Sequence, residues 1–493
     1  MTTPTPPIEL TGTGQRLASE VTPLPPSLLE QLTSICETST DVALVAEASR
    51  DWWPLALHWS LAGMVPCLAA AVVRPTTTSQ VAAILAACND ARIPITAAGG
   101  RSGVSGASVP IHGGVVLDTT ALVGIGAVDV ESGVVEVAAG TFGPDFELEL
   151  RSEHGLTVGH FPQSFDLATV GGWVACRGAG QYSTRYGKVE DMVVGLEVVL
   201  ADGTVVRTGG SPASAVGPDL NQLFTGSEGT LGVVTRVWLR AHPVPSAEQR
   251  AAYSFPTFGA AVEACRSTLR RGATPAVLRL YDAQEAARGR GGDGSNCILL
   301  VLDEGHPAIV DATMSVVAES CATVGAIAAD EALVADWLEH RNDTSALQEL
   351  TLKGFVVDTM EIAAPWSRIV DVFERTRAAL LAVPHAVAAT CHLSHSYLDG
   401  ACLYFTFAAT PPADEVESTY LALWDAGQRT VLASGGNLSH HHGIGVNRGR
   451  FVAEALGPAY GVLVALKAAL DPNGILNPGK LGLPSPFGPV PWP

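Results

Sequence analysis

The sequence predicts an α+β protein built from more than one domain. Its 493 residues exceed the size at which a single hydrophobic core stops growing, about 250–300 residues. Hydrophobic residues make up 47% of the chain and charged residues 16%, a balance typical of a folded protein. In the second half, helical periodicity alternates with strands of antiparallel character, which indicates helices layered on a sheet.

The first 245 residues predict a leading segment followed by a domain of short β units. The leading segment, residues 1–65, contains a Pro-rich start and a helix over residues 26–37. Residues 66–245 alternate strands, helices with Thr or Ser caps and glycine-rich turns. Asp202-Gly203 lies between two Val-rich runs and predicts a β-hairpin. A proline break near residue 244 ends this domain.

The rest of the chain predicts a second domain and a returning tail. The second domain, residues 246–468, combines helical patterns at 257–271 and 368–382 with strands at 276–282, 296–304 and 401–409. A helix that begins at residue 460 stops at Asp471-Pro472. We expect residues 469–493 to return to the first domain.

Charge and cysteine usage exclude several classes of protein. The net charge of −20 repels phosphate backbones and anionic lipids, so we expect neither nucleic acid nor a membrane surface as a partner. The apolar stretch at 61–73 is interrupted by Pro66 and is too short to span a bilayer. Nine cysteines without a CxxC pair are typical of a reducing compartment, and no signal peptide is recognisable, so we expect a cytoplasmic protein.

Four glycine-rich segments lie between strands of the first half. They are AAGGRSG at 97–103, FPQSFDLATVGGW at 161–173, RGAGQYSTRYGKVED at 177–191 and GSEGTLG at 226–232. Glycine lets successive backbone amides turn toward one anion and leaves no Cβ to block its approach. Turn formation explains any one segment alone. The four together favour a pyrophosphate held by main-chain donors, which an acidic protein needs.

These segments resemble the flavin-binding domain of the vanillyl-alcohol oxidase/PCMH superfamily, over about residues 72–245. The resemblance implies two α+β subdomains that hold FAD between them and an α+β cap domain with an antiparallel sheet above the flavin ring. It implies that residues 97–103 bind the pyrophosphate and that residues 163–172 flank the ring. The implied cofactor-binding residues are Ala98, Gly99, Gly100, Arg101, Ser102, Gly103, Gln163, Ser164, Thr169, Gly171, Gly172, Cys176, Gly178, Ala179, Glu228, Gly229 and Gly232.

The first loop also bears on how the cofactor is attached. Several members of the superfamily carry a histidine there that bonds covalently to the flavin. This sequence has Arg101 at that place. We therefore expect FAD to be bound without a covalent link.

The second half carries polar groups that an apolar core does not accommodate. Arg279 lies inside the apolar run TPAVLRLYD, and Arg368 lies in AAPWSR. A buried guanidinium is costly unless it is paired, so each suggests an anion or an ordinary salt bridge. His440, His441 and His442 are consecutive, so they cannot all face one side of a strand or helix. Imidazole titrates near neutral pH and suits proton transfer.

This half resembles alkylglycerone-phosphate synthase and its bacterial relatives. The segments that carry the resemblance are TPAVLRLYD, AAPWSR, HLSHSYLDGACLYF, GGNLSHHHGIG and DPNGILNPGKL. The resemblance implies that Tyr404 is the general acid/base, that Arg279 and Arg368 hold a substrate phosphate or organise the site, and that His440–His442 complete it.

A neighbouring branch, the FAD-linked 2-hydroxy-acid dehydrogenases, binds a divalent metal through two histidines of GHxGDGNxH and the glutamate of EHG. This chain has ACLYF after Asp399-Gly400, with no following histidine, and His441 stands where the glutamate would be. A site of two histidines and one carboxylate is therefore lost, and we expect no metal.

Together these observations predict an FAD-dependent enzyme that acts on a small, anionic, hydroxylated substrate, either as an oxidoreductase or through an adduct at flavin N5. A second hypothesis is a transferase that exchanges an acyl group for an alkyl ether without net redox change. A third is a flavin-binding protein without catalysis. Dimers are common in the superfamily, so a homodimer is a further expectation.

Overall fold

The first half of the chain forms two separate sheets, and the second half forms one large sheet. The computed structural model describes residues 8–17, 21–288, 292–343 and 345–492. Residues 1–7, within the predicted leading segment, lie outside the described residues. The predicted α+β class with an antiparallel sheet in the second half is confirmed.

The first sheet has four strands. In spatial order they are Glu37–Ser39, Ala71–Arg74, Val115–Asp118 and Ile95–Ala98. The last three run parallel to one another, and the first is antiparallel to its neighbour. The helix Thr78–Ala91 begins where the Thr77 side chain accepts from the amide of Gln80, and it ends where Arg92 adopts a left-handed conformation.

The second sheet has five antiparallel strands. Their order is Val205–Gly209, Val193–Val199, Val233–Arg240, Val134–Ala138 and Ile125–Asp129. The hairpin predicted around Asp202-Gly203 joins the first two strands, and Gly203 has a φ of +85°, as its tight turn requires.

The third sheet has seven antiparallel strands and forms the cap. Their order is Ile327–Ala329, Ala247–Phe255, Cys297–Gly305, Val277–Tyr281, Ala386–Ser396, Gly400–Ala409 and Val356–Pro365. A large hydrophobic core lies between this sheet and its covering helices, with Phe373, Phe405 and Trp424 among its members. Directly opposite residues of neighbouring antiparallel strands share a face. The register therefore places Tyr281, His392, Tyr404 and Glu361 in one row across four strands.

The α-helices of the first half are Pro26–Ile35, Val42–Ala48, Pro54–Leu61, Thr78–Ala91, Gly143–His154, Val170–Cys176, Ser183–Tyr186, Val189–Met192 and Asn221–Phe224. Those of the second half are Phe258–Arg270, Ala283–Ala286, Pro307–Thr323, Ala332–His340, Ser345–Leu352, Ile369–Leu381, Val416–Ala433, Val452–Leu456 and Tyr460–Leu470. Two short strand pairs, Gly14–Gln15 with Met64–Val65 and Leu156–Thr157 with His242–Pro243, complete the fold.

The C-terminal segment contacts the first sheet. The amide of Ile95 donates to Ile475 O at 2.8 Å, and the amide of Asn477 donates to Ile95 O at 2.7 Å. The preceding helix is anchored by Lys467, whose Nζ donates to Thr230 O at 2.8 Å and Leu476 O at 2.6 Å. These bonds hold the tail against the strand that leads into the first glycine-rich loop.

One helical stretch of the described residues, Gly449–Leu470, is long and apolar enough to cross a membrane by length and composition. Only the shorter apolar stretch at 61–73 is recognisable in the sequence as a candidate. The stretch Gly449–Leu470 is weak evidence against the prediction of no membrane-spanning segment. The buried bonds of Lys467 attach this stretch to the protein interior.

Candidate functional site

A single cavity is lined by loops of the first half and strands of the cap. Its first wall contains every residue predicted to bind the cofactor, from Ala98 in the first loop to Gly232 in the last. Its second wall contains Arg279, Tyr404, His441 and His442. The glycine-rich loops and the polar cap residues, far apart in the sequence, thus face the same space.

The first glycine-rich loop begins at the carboxyl end of the strand Ile95–Ala98. Arg101 adopts a left-handed φ of +54°, and its buried Nε has no hydrogen-bond partner among the described residues. A Cβ on Gly100 would lie 1.9 Å from Leu167 O, so this position accepts only glycine without a shift of backbone. The loop is therefore packed against the segment around residues 163–169, and both line the cavity.

Glu228 joins the last glycine-rich loop to the cap. Its φ is +50°, and its carboxylate accepts from the amides of Ile444 and Gly445, immediately after the histidine run. Burial raises the pKa of Glu228 despite these two amide bonds. Asn477 of the C-terminal segment donates to Glu228 O at 2.6 Å. Loop, histidine run and tail are thus fixed to one another.

The residues of the first wall fit a flavin dinucleotide. Four loops converge on one cavity, small side chains and glycines keep the backbone accessible, and the Arg101 guanidinium supplies a cation. These groups suit a pyrophosphate. The cap wall then supplies proton-carrying groups on the other side of the same cavity.

Tyr404 is held in the cap wall by its neighbours in the cross-strand row. Its hydroxyl donates to Thr359 Oγ1 at 3.1 Å, and its ring stacks on His392 with centroids 4.7 Å apart. Burial raises the pKa of Tyr404, so the phenol keeps its proton at neutral pH. Nη2 of Arg279 lies 2.7 Å from Nε2 of His392, and its Nε donates to the hydroxyl of Tyr281 at 2.7 Å.

The histidine run divides between the cavity and the interior. His441 and His442 line the cavity, whereas His440 is buried behind them, with its Nε2 2.8 Å from the hydroxyl of Tyr397. Burial lowers the pKa of His440 and of His441 well below the usual range, so both imidazoles are neutral at pH 7. Lys188 Nζ donates to His440 O at 2.6 Å and ties the run to the first half.

The carboxylate of Glu361 fixes the backbone of the histidine run. Its Oε1 accepts from the amides of His440, His441 and His442 at 3.2, 3.1 and 2.8 Å. Arg448, which is completely buried, donates to both carboxylate oxygens. Burial alone would raise the pKa of Glu361, but Arg448 and His442 hold this pKa well below its usual range. Because three successive amides donate to one carboxylate oxygen, the backbone of the histidine run curves around Glu361.

Of the predicted catalytic residues, four line the cavity and two, His440 and Arg368, do not. Arg368 is exposed, precedes the helix Ile369–Leu381 and does not line the cavity. Its position at the start of an amphipathic surface helix directs it to solvent. Arg341, which the sequence analysis did not single out, lines the cavity instead.

The groups that hold the site were not predicted from the sequence. Asp358 and Glu361 are buried carboxylates in the mainly apolar strand Val356–Pro365, and that pattern was a usable signal. Asp358 lines the cavity and accepts from the hydroxyl of Tyr420 at 2.6 Å. Burial raises its pKa to about 6.

Three imidazoles lie close enough together to be considered as metal ligands. One nitrogen each of His395, His440 and His441 falls within 4.8 Å of the others. Neutral imidazoles suit a borderline ion such as Zn²⁺. However, the facing Nδ1 atoms of His440 and His441 are 2.8 Å apart, a hydrogen-bond distance, so these two nitrogens share a proton. The absence of a metal stays a prediction.

Two family models match the chain. One, described as an FAD binding domain, covers residues 69–209, and the other, described as the C-terminal domain of FAD linked oxidases, covers residues 244–481. The first model contains three of the glycine-rich loops of the cavity, and the second contains the cap wall.

Curated relatives agree with these models. An uncharacterized FAD-linked oxidoreductase of Escherichia coli K12 is 34% identical, covering 84% of this chain and 88% of the relative. The alkyldihydroxyacetonephosphate synthase of Trypanosoma brucei brucei is 29% identical over 73% of this chain and 63% of its own length. The glycolate oxidase subunit GlcD of Bacillus subtilis is 28% identical over 83% of this chain and 88% of its own.

Solved structures share the fold. An alkyldihydroxyacetonephosphate synthase structure superposes with a TM-score of 0.79 at 23% identity, covering 96% of this chain and 90% of the other. p-Cresol methylhydroxylase superposes with a TM-score of 0.73 at 19% identity, covering 93% and 96%. The chain belongs to the FAD-linked oxidase family, with the PCMH-type FAD-binding fold, and is an FAD-dependent enzyme.

Proposed function

We propose that the protein oxidises a small, hydroxylated, anionic substrate with FAD as the hydride acceptor. The observation that carries this proposal is the shared cavity, in which the FAD-binding loops face an arginine, a tyrosine and two histidines of the cap. A cation beside proton-carrying groups suits a substrate that has both a negative charge and a hydroxyl to deprotonate.

Oxidation of a carbinol removes a hydride from carbon and a proton from oxygen. Bound FAD supplies the hydride acceptor, and the chain's own residues manage the proton and the orientation. Tyr404 is placed to pass the proton on: its phenol, which is protonated at neutral pH, gives its own proton away as it accepts the one that leaves the substrate hydroxyl. The ring centroids of His441 and Tyr404 are 6.0 Å apart. The neutral imidazole of His441 is available to take the proton that leaves. Arg279 holds the anion beside them.

An anaerobic screen of the purified holoenzyme tests the proposal. Glycolate, D-lactate, 2-hydroxyglutarate and glycerol 3-phosphate are each mixed with the protein, and the absorption of oxidised flavin is followed. We expect at least one to bleach the flavin and to be recovered as its carbonyl product. Failure of every hydroxylated anion to reduce a flavin that dithionite reduces normally would contradict the proposal.

An ether-forming transferase is the second candidate. The observation that favours it is the run of three histidines beside Tyr404 in a cap that resembles the synthase branch. Such an enzyme exchanges the acyl group of an acyl-glycerone phosphate for a fatty alcohol, with no electrons left on the flavin. Product ether formed in the absence of any electron acceptor, by an enzyme that no hydroxy acid reduces, would select this function.

We also propose that FAD is held without a covalent bond to the first loop, because Arg101 faces the cavity there and guanidinium is not a nucleophile at neutral pH. The nine cysteines of the chain include no CxxC pair, which supports the proposal of a cytoplasmic location. The homodimer stays a prediction.

The tight packing of the first loop gives a direct test of FAD binding. Replacing Gly100 by Ala puts a methyl group against Leu167 O, so the loop must shift and most of the FAD should be lost during gel filtration. The measurement is the ratio of flavin to protein absorbance. Gly461→Ala is the matched control, since no atom lies within 4 Å of its added methyl, and should retain full FAD. A Gly100→Ala protein with full FAD would show that the loop does not hold the cofactor.

A further inference from the structure

A chain of hydrogen bonds leads from the cavity into the wall behind it. His441 lines the cavity, and its Nδ1 lies 2.8 Å from Nδ1 of His440, which is buried and does not line the cavity. The other ring nitrogen of His440, Nε2, lies 2.8 Å from the hydroxyl of Tyr397. Both ring nitrogens of His440 are thus within hydrogen-bond distance of a group that can itself accept and donate a proton.

Tyr397 lies where the chain of hydrogen bonds approaches the protein surface. Residues 391–396, which lead to it along the strand, are buried, whereas Tyr397 is partly exposed and residues 398 and 399 form an exposed bend. The amide of Tyr397 donates to Gly400 O at 2.8 Å, and Nε1 of Trp366 donates to Tyr397 O at 3.0 Å. These bonds fix the backbone of Tyr397 between the buried imidazoles and the solvent.

The protonation states of these groups allow a proton to pass along the chain. Burial lowers the pKa of His440 and of His441 well below the usual range and raises the pKa of the Tyr397 hydroxyl well above its usual value. All three groups are therefore neutral at pH 7, and each neutral imidazole has one N–H donor and one acceptor nitrogen.

One arrangement of protons satisfies both contacts of His440. Nδ1–H of His441 donates to Nδ1 of His440, and Nε2–H of His440 donates to the oxygen of Tyr397. The Tyr397 hydroxyl then has its own proton available for Ser183 Oγ, 3.4 Å away, or for water at the surface. Every donor in this arrangement points in the same direction, from the cavity outward.

We propose that His441, His440 and Tyr397 form a proton relay that carries the proton of the substrate hydroxyl from the cavity to solvent. Nε2 of His441 takes up the proton, the Nδ1 proton of His441 passes to His440, the Nε2 proton of His440 passes to Tyr397, and the Tyr397 hydroxyl releases its proton to water. One proton enters, one leaves and no electrons move. Such a path is needed when FAD and substrate exclude water from the cavity. This role rests on the proposed function, whereas the hydrogen-bonded chain does not.

Proton NMR of the holoenzyme in water, with isotopically labelled histidine, tests the chain without turnover. A buried, hydrogen-bonded imidazole N–H exchanges slowly and resonates downfield of the backbone amides. Tyr397→Phe removes the acceptor of the His440 Nε2–H, so one such resonance should move upfield and exchange about ten-fold faster or more. Tyr460→Phe removes a hydroxyl that bonds Gly482 O outside the cavity and should leave the resonance unchanged.

Proton release during flavin reduction tests what the proton relay does. The holoenzyme is mixed anaerobically with a substrate that reduces its flavin, in weak buffer with a pH indicator, and flavin absorption and indicator colour are followed together. In the wild type we expect both signals to have the same rate constant. In Tyr397→Phe, proton release should be slower than flavin reduction by about ten-fold or more, because the proton stays on the histidines. A tyrosine that only supports the packing would slow both signals equally.

Two further variants make this test specific. Tyr397→His keeps a side chain that accepts and donates protons, so it should restore part of the rate of proton release. His440→Gln interrupts the proton relay one step earlier, since an amide does not pass protons on, and it carries the test if Tyr397→Phe is not recovered folded. Each variant is first checked for full FAD content.

The results separate the proton relay from the proposed oxidation. A downfield resonance that is unchanged in Tyr397→Phe would overturn the proton relay, whether or not a hydroxylated anion reduces the flavin. Equal rate constants for proton release and flavin reduction in Tyr397→Phe would also overturn it, while leaving the oxidation intact. Loss of the resonance in Tyr397→Phe, in an enzyme that no hydroxylated anion reduces, would uphold the hydrogen-bonded chain and reject the oxidation.

Discussion

Replacing Glu361 by Ala is expected to lower the free energy of unfolding by about 3–5 kcal/mol and to remove activity. Both Glu361 and its partner Arg448 are completely buried, and Arg448 donates to both carboxylate oxygens. Deleting one member of a buried ion pair leaves the other charge desolvated and unpaired, which accounts for the size of the loss. Urea unfolding followed by circular dichroism measures it.

The same substitution also affects the histidine run. The amides of His440, His441 and His442 would lose their common acceptor, and Ser439, whose hydroxyl donates to the same oxygen, would be released too. The imidazoles at the cavity would then no longer be fixed relative to Tyr404. Glu361→Gln keeps one acceptor oxygen for the amides, but it removes the charge and replaces the other oxygen by an NH2 group. It should therefore fold better than Glu361→Ala while still destabilising Arg448.

The matched control is Glu263→Ala, which removes a carboxylate from the exposed Glu263–Arg266 pair. Surface pairs contribute about 0–1 kcal/mol, so this variant should unfold almost as the wild type does. Equal stability of Glu361→Ala and Glu263→Ala would show that the buried pair does not support the cap. A stable Glu361→Ala protein with full activity would further show that the run needs no such anchor.

The glycine-rich loops were predictable from sequence because their chemistry is local. The glycines of a run such as AAGGRSG predict a loop whose backbone approaches a ligand closely, and all four glycine-rich loops reach one cavity. Helices such as Thr78–Ala91 and Phe258–Arg270 were predictable for the same reason, since their caps and apolar spacing lie within the segment itself. The cap sheet was only partly recognised, because the strands Ala247–Phe255 and Ala386–Ser396 also pair with segments far along the chain, Cys297–Gly305 and Val277–Tyr281.

The supporting residues of the site depend on long-range contacts that the sequence does not display. Glu361 is 79 to 81 positions away from the three amides it binds. Arg279 and Arg368 look alike in sequence, since each sits in an apolar surrounding. Only the fold shows that Arg279 faces the cavity from a central strand, whereas Arg368 precedes a surface helix. Arg341 gave no signal at all, because its aromatic neighbours Phe161 and Tyr182 come from the other half of the chain.

Tyr404→Phe is expected to slow flavin reduction by about 10²–10⁴-fold while FAD remains bound. That range is what a positioned general acid or base contributes, and the substitution removes only the hydroxyl. The ring would keep its stacking on His392, and Thr359 would lose one hydrogen bond. The structure of the cap should therefore persist. Anaerobic stopped-flow measurement, with whichever substrate reduces the wild type, gives the rate constant directly.

The pH profile distinguishes a proton-transfer role from a packing role. If Tyr404 only fills space, the rate falls little and its pH dependence stays as in the wild type. If it moves a proton, the slow residual reaction should change its pH profile, because burial lowers the pKa of the His441 imidazole that remains. Tyr460→Phe is the matched control: its hydroxyl donates to Gly482 O, and Tyr460 does not line the cavity. A Tyr404→Phe enzyme as fast as Tyr460→Phe would remove Tyr404 from the chemistry and leave His441 and His442 as the groups that handle the proton.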